Sequence, residues 1–158
     1  MQLTAARILQ RYGPILPSIA LFAVCLVNDG YYIDGPDPRA WAPSWGLLLF
    51  GWIGIFSGTV AWLANPVMFL AWIKFFSGRY RTATLFAAIA AALILSFLLT
   101  KTVVSSETPT YSKVIGYGIG YWFWLASAVA LLIRSLLEWV RSKRRAAGSS
   151  SLTGTGID

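Results

Sequence analysis

Apolar residues are grouped in four long runs, and shorter segments between the runs hold most of the polar and charged residues. The runs cover approximately residues 15–32, 45–64, 82–100 and 114–137. Each run is close to the ~20 apolar residues that a helix needs to cross the hydrocarbon core of a bilayer. The pattern therefore predicts an all-α integral membrane protein, an antiparallel bundle of four transmembrane helices.

The apolar stretch that begins at Trp45 is longer than one crossing requires, and Asn65 and Pro66 interrupt it. Proline lacks an amide donor and clashes with the preceding turn, so a straight helix is not expected to continue through this point. We therefore predict that a spanning helix ends near Ala64. A short interfacial or re-entrant helix is expected to follow over residues 67–76.

The first run follows a short basic segment, as the apolar core of a secretory signal peptide does. A signal peptide also needs small residues at a cleavage site, and the run lacks that pattern in front of Cys25. We therefore expect a retained helix at this end of the chain.

Composition supports one membrane domain. The chain is 57% hydrophobic, has a mean hydropathy of +0.64 and is only 12% charged, whereas soluble domains carry roughly 25% charged residues. We assign residues 1–145 to this domain. The serine- and glycine-rich segment 146–158 is predicted to be a disordered cytoplasmic tail, because it has too little apolar content to fold.

The basic residues are distributed unevenly. Ten of the thirteen fall on one side of the predicted bundle and three on the other. Cytoplasmic loops carry the basic excess, which predicts a multi-pass protein of a bacterial inner (plasma) membrane with both termini cytoplasmic. The charges flank the apolar runs and do not form a stripe on one face, so nucleic acid is not an expected partner.

Small residues recur about four positions apart at two places, at Gly54, Gly58 and Ala61 and again at Gly116 and Gly120. Small residues at this spacing allow helix backbones to approach closely in lipid. Two interpretations stay open for these five residues, packing within one chain and homo-oligomerisation.

Other polar groups offer further candidate sites. Asn65 and Pro66 mark either a structural kink or a polar site in a broken helix. The loop 28–44 contains three acidic residues that could bind a cation or a ligand at the outer face, although their spacing fits no EF-hand loop: Asp29, Asp34 and Asp37. A basic cluster near the end of the chain is expected to contact lipid headgroups: Arg141, Lys143, Arg144 and Arg145.

The chain contains no histidine, the commonest general base and a common metal ligand. We therefore expect a non-catalytic protein with no cofactor and no metal. It would act through helix and loop contacts with the bilayer and with a membrane-protein partner or further copies of itself, as an accessory subunit, assembly factor or immunity-type protein. The alternatives are an oligomeric channel or small transporter lined by Ser57, Thr59 and Asn65, and an outer-face sensor that uses the acidic loop.

Overall fold

The structure, a computed structural model, describes residues 13–39, 43–104 and 111–152, without the side chains of residues 57, 104 and 147–152. The described chain is mostly helical, as predicted. Its α-helices are α1 (Leu16–Leu26), α2 (Ser44–Phe50), α3 (Ala64–Phe76), α4 (Tyr80–Ser96) and α5 (Ile119–Leu152). Turns of 3-10 helix extend them at Gly13–Ile15, Gly51–Ser57, Val60–Leu63 and Phe97–Leu99.

A small antiparallel sheet joins the helices at one end of the molecule. Its strands are β1 (Tyr31–Ile33), β2 (Thr102–Val104) and β3 (Tyr111–Tyr117), with β3 in the centre. Tyr31 pairs with Tyr117, and Thr102 pairs with Lys113. We call this the sheet end, and we call the opposite end, where a tight turn joins α3 to α4, the hairpin end.

Four helices, α1, α3, α4 and α5, form an antiparallel bundle between the two ends. α4 packs against both α3 and α5, and α1 packs against α5. α1 also meets α3 through the ring of Phe22, which lies 5.6 Å from that of Phe69 and 5.5 Å from that of Trp72.

The residues of α4 are sorted by size. Its buried positions are small, apart from one isoleucine: Ala83, Ala87, Ala90, Ala91 and Ile94. Its exposed positions include large apolar residues: Leu85, Ile89 and Leu95. A core helix of a soluble protein has the opposite arrangement, with its large apolar side chains inside.

Two helices are long and apolar enough to cross a membrane, Tyr80–Leu99 and Ile119–Ala146. Only 33% and 22% of their most apolar windows are buried within the protein. The other apolar helices are shorter, at Gly13–Leu26, Ser44–Phe56 and Val60–Phe76. The structure thus confirms a mostly helical protein, although the fold also contains a three-stranded sheet that the predicted all-α class lacks.

The second apolar run breaks at a different place from the one predicted. Gly58 adopts a left-handed conformation, with φ of 85°, and ends the 3-10 turn Gly51–Ser57. Pro66 lies instead in the first turn of α3, where a missing amide costs no intrahelical hydrogen bond. The helix of this run therefore covers Val60–Phe76 and includes residues 67–76, for which an interfacial segment was expected. Residues 44–57, by contrast, do not run along the bundle.

The first and fourth predicted spans are also displaced. α1 ends at Leu26, and Tyr31 and Tyr32 near the end of the predicted first span belong to β1. The start of the predicted fourth span lies in β3, and α5 begins only at Ile119. α5 continues to Leu152, into the segment predicted to be a disordered tail, while residues 153–158 lie outside the described residues.

Candidate functional site

A cavity of about 120 Å³ lies in the half of the bundle nearest the sheet. Its walls come from α1, from the segment 44–57, from the start of α3 and from the first turns of α5. Most of the lining is apolar and aromatic, including Phe22, Leu26, Leu47, Trp62 and Phe97. A concave site with largely apolar walls is typical of a small-molecule pocket.

The segment 44–57 covers this cavity and is held in place by hydrogen bonds. At its beginning, the Ser44 amide and hydroxyl both donate to the Asn28 carbonyl, at 2.9 and 2.7 Å. In its middle, the Leu48 carbonyl accepts a hydrogen bond from Trp62 Nε1 at 3.0 Å. The ring of Trp62 lies so close to Gly51 that a Cβ atom there would come within 2.6 Å of it. The cover is therefore fixed to the loop that follows α1 and to the helix that leads into α3.

Two polar groups lie on the cavity wall. Asn65 is only 6% exposed. Trp124 Nε1 is buried and lacks a partner among the residues that the structure describes. Leaving a buried donor unsatisfied costs about 1–3 kcal/mol, and this cost applies to Trp124 Nε1.

Tyr31 lines the cavity from the sheet. Burial raises the pKa of its phenol. The hydroxyl of Tyr31 therefore stays neutral at physiological pH and can exchange only hydrogen bonds.

A buried polar cluster lies below the cavity, towards the hairpin end. The Ser18 hydroxyl donates to the Ser127 carbonyl at 2.9 Å, and the Ser127 hydroxyl donates to the Ser18 carbonyl at 2.8 Å. Trp72 Nε1 donates to Ser18 Oγ at 3.0 Å, and Met68 Sδ lies 3.7 Å from Ser127 Oγ. Ser18, Met68 and Ser127 are almost completely buried. The cluster ties α1, α3 and α5 together.

The glycines predicted to pack helices near the start of α5 have another role. The backbone of residues 28–30 crosses α5 here, with the Gly118 amide donating to the Gly30 carbonyl and the Gly120 amide donating to the Asp29 carbonyl, each at 2.9 Å. A Cβ atom at Gly118 would clash with the Asp29 carbonyl. Gly116 lies in β3 opposite Tyr32. Gly118 and Gly120 therefore permit a close crossing of loop and helix, whereas Gly116 pairs within the sheet.

The other small residues are placed separately. Gly54 lies in the 3-10 turn before Gly58, next to Thr59, so both glycines belong to the turn that separates the cover from α3. Ala61 is buried, in a turn that packs against α4. Of the three, Ala61 alone lies in a contact between bundle helices of this chain.

Each carboxylate of the predicted acidic loop is engaged within the loop or with the sheet. Asp29 binds Arg39 through two contacts, at 2.8 and 2.9 Å, and this pairing raises the pKa of the arginine. Asp37 accepts a hydrogen bond from the Arg39 amide at 3.1 Å, and Asp34 accepts one from the Lys113 amide at 2.6 Å. Asp29 and Asp37 thus both bond to Arg39, through its guanidinium and its amide, while Asp34 bonds to Lys113 in β3. Within the described parts of the chain, no group of three or more His, Cys, Asp and Glu residues could hold a metal ion.

The basic cluster lies on the exposed last part of the described α5. Arg141 pairs with Glu138 at 2.7 Å, and Lys143 lies 4.8 Å from the centre of the Trp139 ring. Arg144 and Arg145 are exposed. These side chains extend beyond the bundle at the hairpin end, as a headgroup-contacting cluster requires.

Sequence reasoning identified Asn65 as a site residue but not Trp124. Trp124 is one of several aromatic residues in its run, and its sequence neighbours do not indicate which of them faces another helix. Ser18 and Ser127 were likewise missed, since single serines in apolar runs carry no signal until two helices are brought together.

The chain matches no protein-family model, and searches of curated proteins and of solved structures find no match either.

Proposed function

We propose that this protein is an integral membrane protein with four crossings, made by α1, α3, α4 and α5 with the 3-10 turns that extend them. The observation that carries the proposal is the arrangement along α4, where the buried positions are four alanines and one isoleucine while large apolar side chains face outwards. Lipid is the solvent that such a surface fits, and close contact between small residues is how helices pack in it. α1 and α3 are short for a crossing, but they pack beside the longer helices, and a bilayer can thin or let flanking residues snorkel to match them.

The charges at the two ends support one orientation. Lys74, Arg79 and Arg81 lie at the hairpin end, and the basic cluster of α5 extends from the same end. The paired aspartates lie in the loop at the sheet end. Under the positive-inside rule the hairpin end is cytoplasmic, with both termini on that side. A bacterial inner membrane is the location we propose.

Within this frame the segment 44–57 lies at the outer boundary of the membrane. It presents large apolar side chains outwards, among them Trp45, Trp52 and Phe56, the last of these 84% exposed. Aromatic residues such as Trp45 and Trp52 are common at the membrane–water interface. In this arrangement the interfacial segment is therefore 44–57, at the outer boundary, and not residues 67–76 at the cytoplasmic one.

We propose that the protein acts by binding and not by catalysis. The polar groups that face the cavity include an amide, an indole N–H and a neutral phenol, at Asn65, Trp124 and Tyr31. Such groups recognise a partner by hydrogen bonds, whereas general acid–base catalysis favours a group with a pKa near the working pH. These features best support an accessory, assembly or immunity-type role, in which the half of the protein nearest the sheet contacts a partner.

A channel through a single chain is the weaker candidate. Asn65 and Thr59 do face the cavity, as the channel hypothesis requires. The buried cluster of Ser18, Met68 and Ser127 then blocks the way towards the hairpin end.

Two measurements test the proposal. Membranes washed with alkaline carbonate should retain the protein, because an integral protein resists this extraction, and release into the supernatant would contradict the membrane assignment. Crosslinking in native membranes, followed by purification and mass spectrometry, should then recover a specific partner or a second copy. Recovery of the uncrosslinked monomer alone, under conditions that crosslink a known membrane complex, would contradict the contact role.

A further inference from the structure

We propose that the cavity under the segment 44–57 binds a neutral, membrane-dissolved apolar molecule through a carbonyl oxygen held by Trp124 and Asn65. The inference rests on the proposed membrane embedding, since the ligand would enter from the lipid. It goes beyond the contact role by naming the ligand chemistry of this one site.

The polar groups of the wall specify an acceptor. An indole N–H can only donate a hydrogen bond, and the Asn amide nitrogen offers two further donors. Trp124 Nε1 is buried without a partner among the described residues, and Asn65, which is 6% exposed, lines the same cavity. A carbonyl oxygen has two lone pairs and can accept from both, which removes the cost of leaving the indole N–H unsatisfied.

The walls specify that the rest of the ligand is apolar and uncharged. No described residue that lines the cavity carries a charged side chain. Aromatic rings, from Phe22, Trp62 and Phe97 among others, provide flat apolar surfaces. A charged group placed here would lose its hydration without gaining an ion-pair partner, at a cost of several kcal/mol or more.

The volume of the cavity limits how much of the ligand can enter it. The cavity measures about 120 Å³, and an apolar cavity of ~150 Å³ holds one benzene molecule. The cavity is smaller than that, so it encloses the carbonyl and the part of the ligand next to it, and the rest of a ring or acyl chain extends through the open side of the site. Two membrane-soluble sources supply this chemistry, a substituted quinone ring and the ester region of a lipid.

The experiment is native mass spectrometry of the purified full-length protein released from detergent micelles. The two probes, tetramethyl-benzoquinone and dioleoyl-phosphatidylethanolamine, are titrated separately, and the fraction of protein carrying one adduct is measured. Trp124→Phe removes the N–H and keeps an aromatic ring in the wall, and Asn65→Leu removes the amide. Trp122→Phe is the matched control, because Trp122 lies on the same helix, is 51% exposed and does not line the cavity.

One probe should form a saturable one-to-one adduct with the wild-type protein. Loss of one hydrogen bond should weaken this adduct about threefold to tenfold in Trp124→Phe, and Asn65→Leu should weaken it in the same direction. Trp122→Phe should leave it unchanged, and unchanged thermal unfolding of all variants shows that the fold is kept. Weakening of the quinone adduct identifies a ring ligand, and weakening of the lipid adduct identifies an ester carbonyl.

The proposal is overturned if neither probe saturates, or if the Trp124 and Trp122 variants bind both probes like the wild type. Failure here leaves retention in carbonate-washed membranes unaffected, so it is distinguishable from failure of the membrane assignment.

Discussion

Gly118 and Gly120 allow the loop between α1 and β1 to cross directly over the beginning of α5. Their amides bond the carbonyls of Gly30 and Asp29, while Ser44, at the start of the cover, is bonded to Asn28 in the same loop. The crossing therefore links the sheet, the cover of the cavity and α5. A side chain at Gly118 has no space, because the Asp29 carbonyl already lies there.

Gly118→Ala should lower the free energy of unfolding by about 1–3 kcal/mol, the usual cost of inserting a methyl group into a tightly packed place. Denaturant titration in detergent measures this change. Gly116→Ala is the matched control in β3, since a Cβ atom there would meet only Tyr32, at an ordinary 3.7 Å. Equal stability of the two variants would contradict the close crossing.

The reciprocal hydrogen bonds of Ser18 and Ser127 are the second residue-scale feature. Ser127→Ala should destabilise the fold by about 1 kcal/mol, because it removes the donor to the Ser18 carbonyl. Ser135→Ala is the control, since Ser135 is equally buried on the same helix but bonds its own helix at the Leu132 carbonyl. The same denaturant titration should show little change for Ser135→Ala, and a larger loss there than in Ser127→Ala would exclude the interhelical role.

At the scale of elements, the reversal at Gly58 separates the cover from the helix Val60–Phe76. A Cβ atom at Gly58 would meet nothing within 4 Å, so the position needs glycine for its backbone conformation and not for space. Pro66, by contrast, lies in a turn that accepts proline.

Gly58→Ala should therefore destabilise the protein by about 1–2 kcal/mol, the cost of a left-handed conformation for a residue with a Cβ atom. Pro66→Ala should cost less than about 1 kcal/mol, mainly through greater freedom of the unfolded chain. The unfolding midpoints of the two variants, measured in the same detergent, show which substitution destabilises the protein more. A larger loss in Pro66→Ala would instead favour the break at Asn65 and Pro66 that the sequence suggests.

The helical runs could be predicted from the sequence because they depend only on local apolar content. The strands could not, since Tyr31 and Tyr117 lie in apolar, aromatic segments and become strand residues only by pairing with each other. The break in the second run was misplaced for a related reason. Proline signals a helix end wherever it occurs, and only the surrounding turns decide whether it begins the next helix.

At the scale of the whole molecule, the candidate site depends on contacts between distant segments. Asn65 was predicted as either a kink residue or a polar site, and Trp124, which lines the same cavity, comes from the last helix. Pairings of this kind leave no pattern within either segment. The sequence does predict that the outer surface is apolar, because the apolar runs contain more large residues than an interior of this size can enclose.

The central claim is that four helices cross the membrane. It can be distinguished by experiment from an arrangement in which only α4 and α5 cross. In both versions the β2–β3 region lies outside. Residue 34 lies outside only if the helices before α4 also cross.

Cysteine labelling with a membrane-impermeant maleimide tests this directly. Single cysteines would be placed at Asp34, Ser77, Tyr111 and Ser142 in a Cys25→Ser background, and labelled in spheroplasts with and without lysis. Four crossings predict that the cysteines at 34 and 111 react in intact spheroplasts, while those at 77 and 142 react only after lysis. A cysteine at 34 that reacts only after lysis, beside one at 111 that reacts before it, would contradict the account.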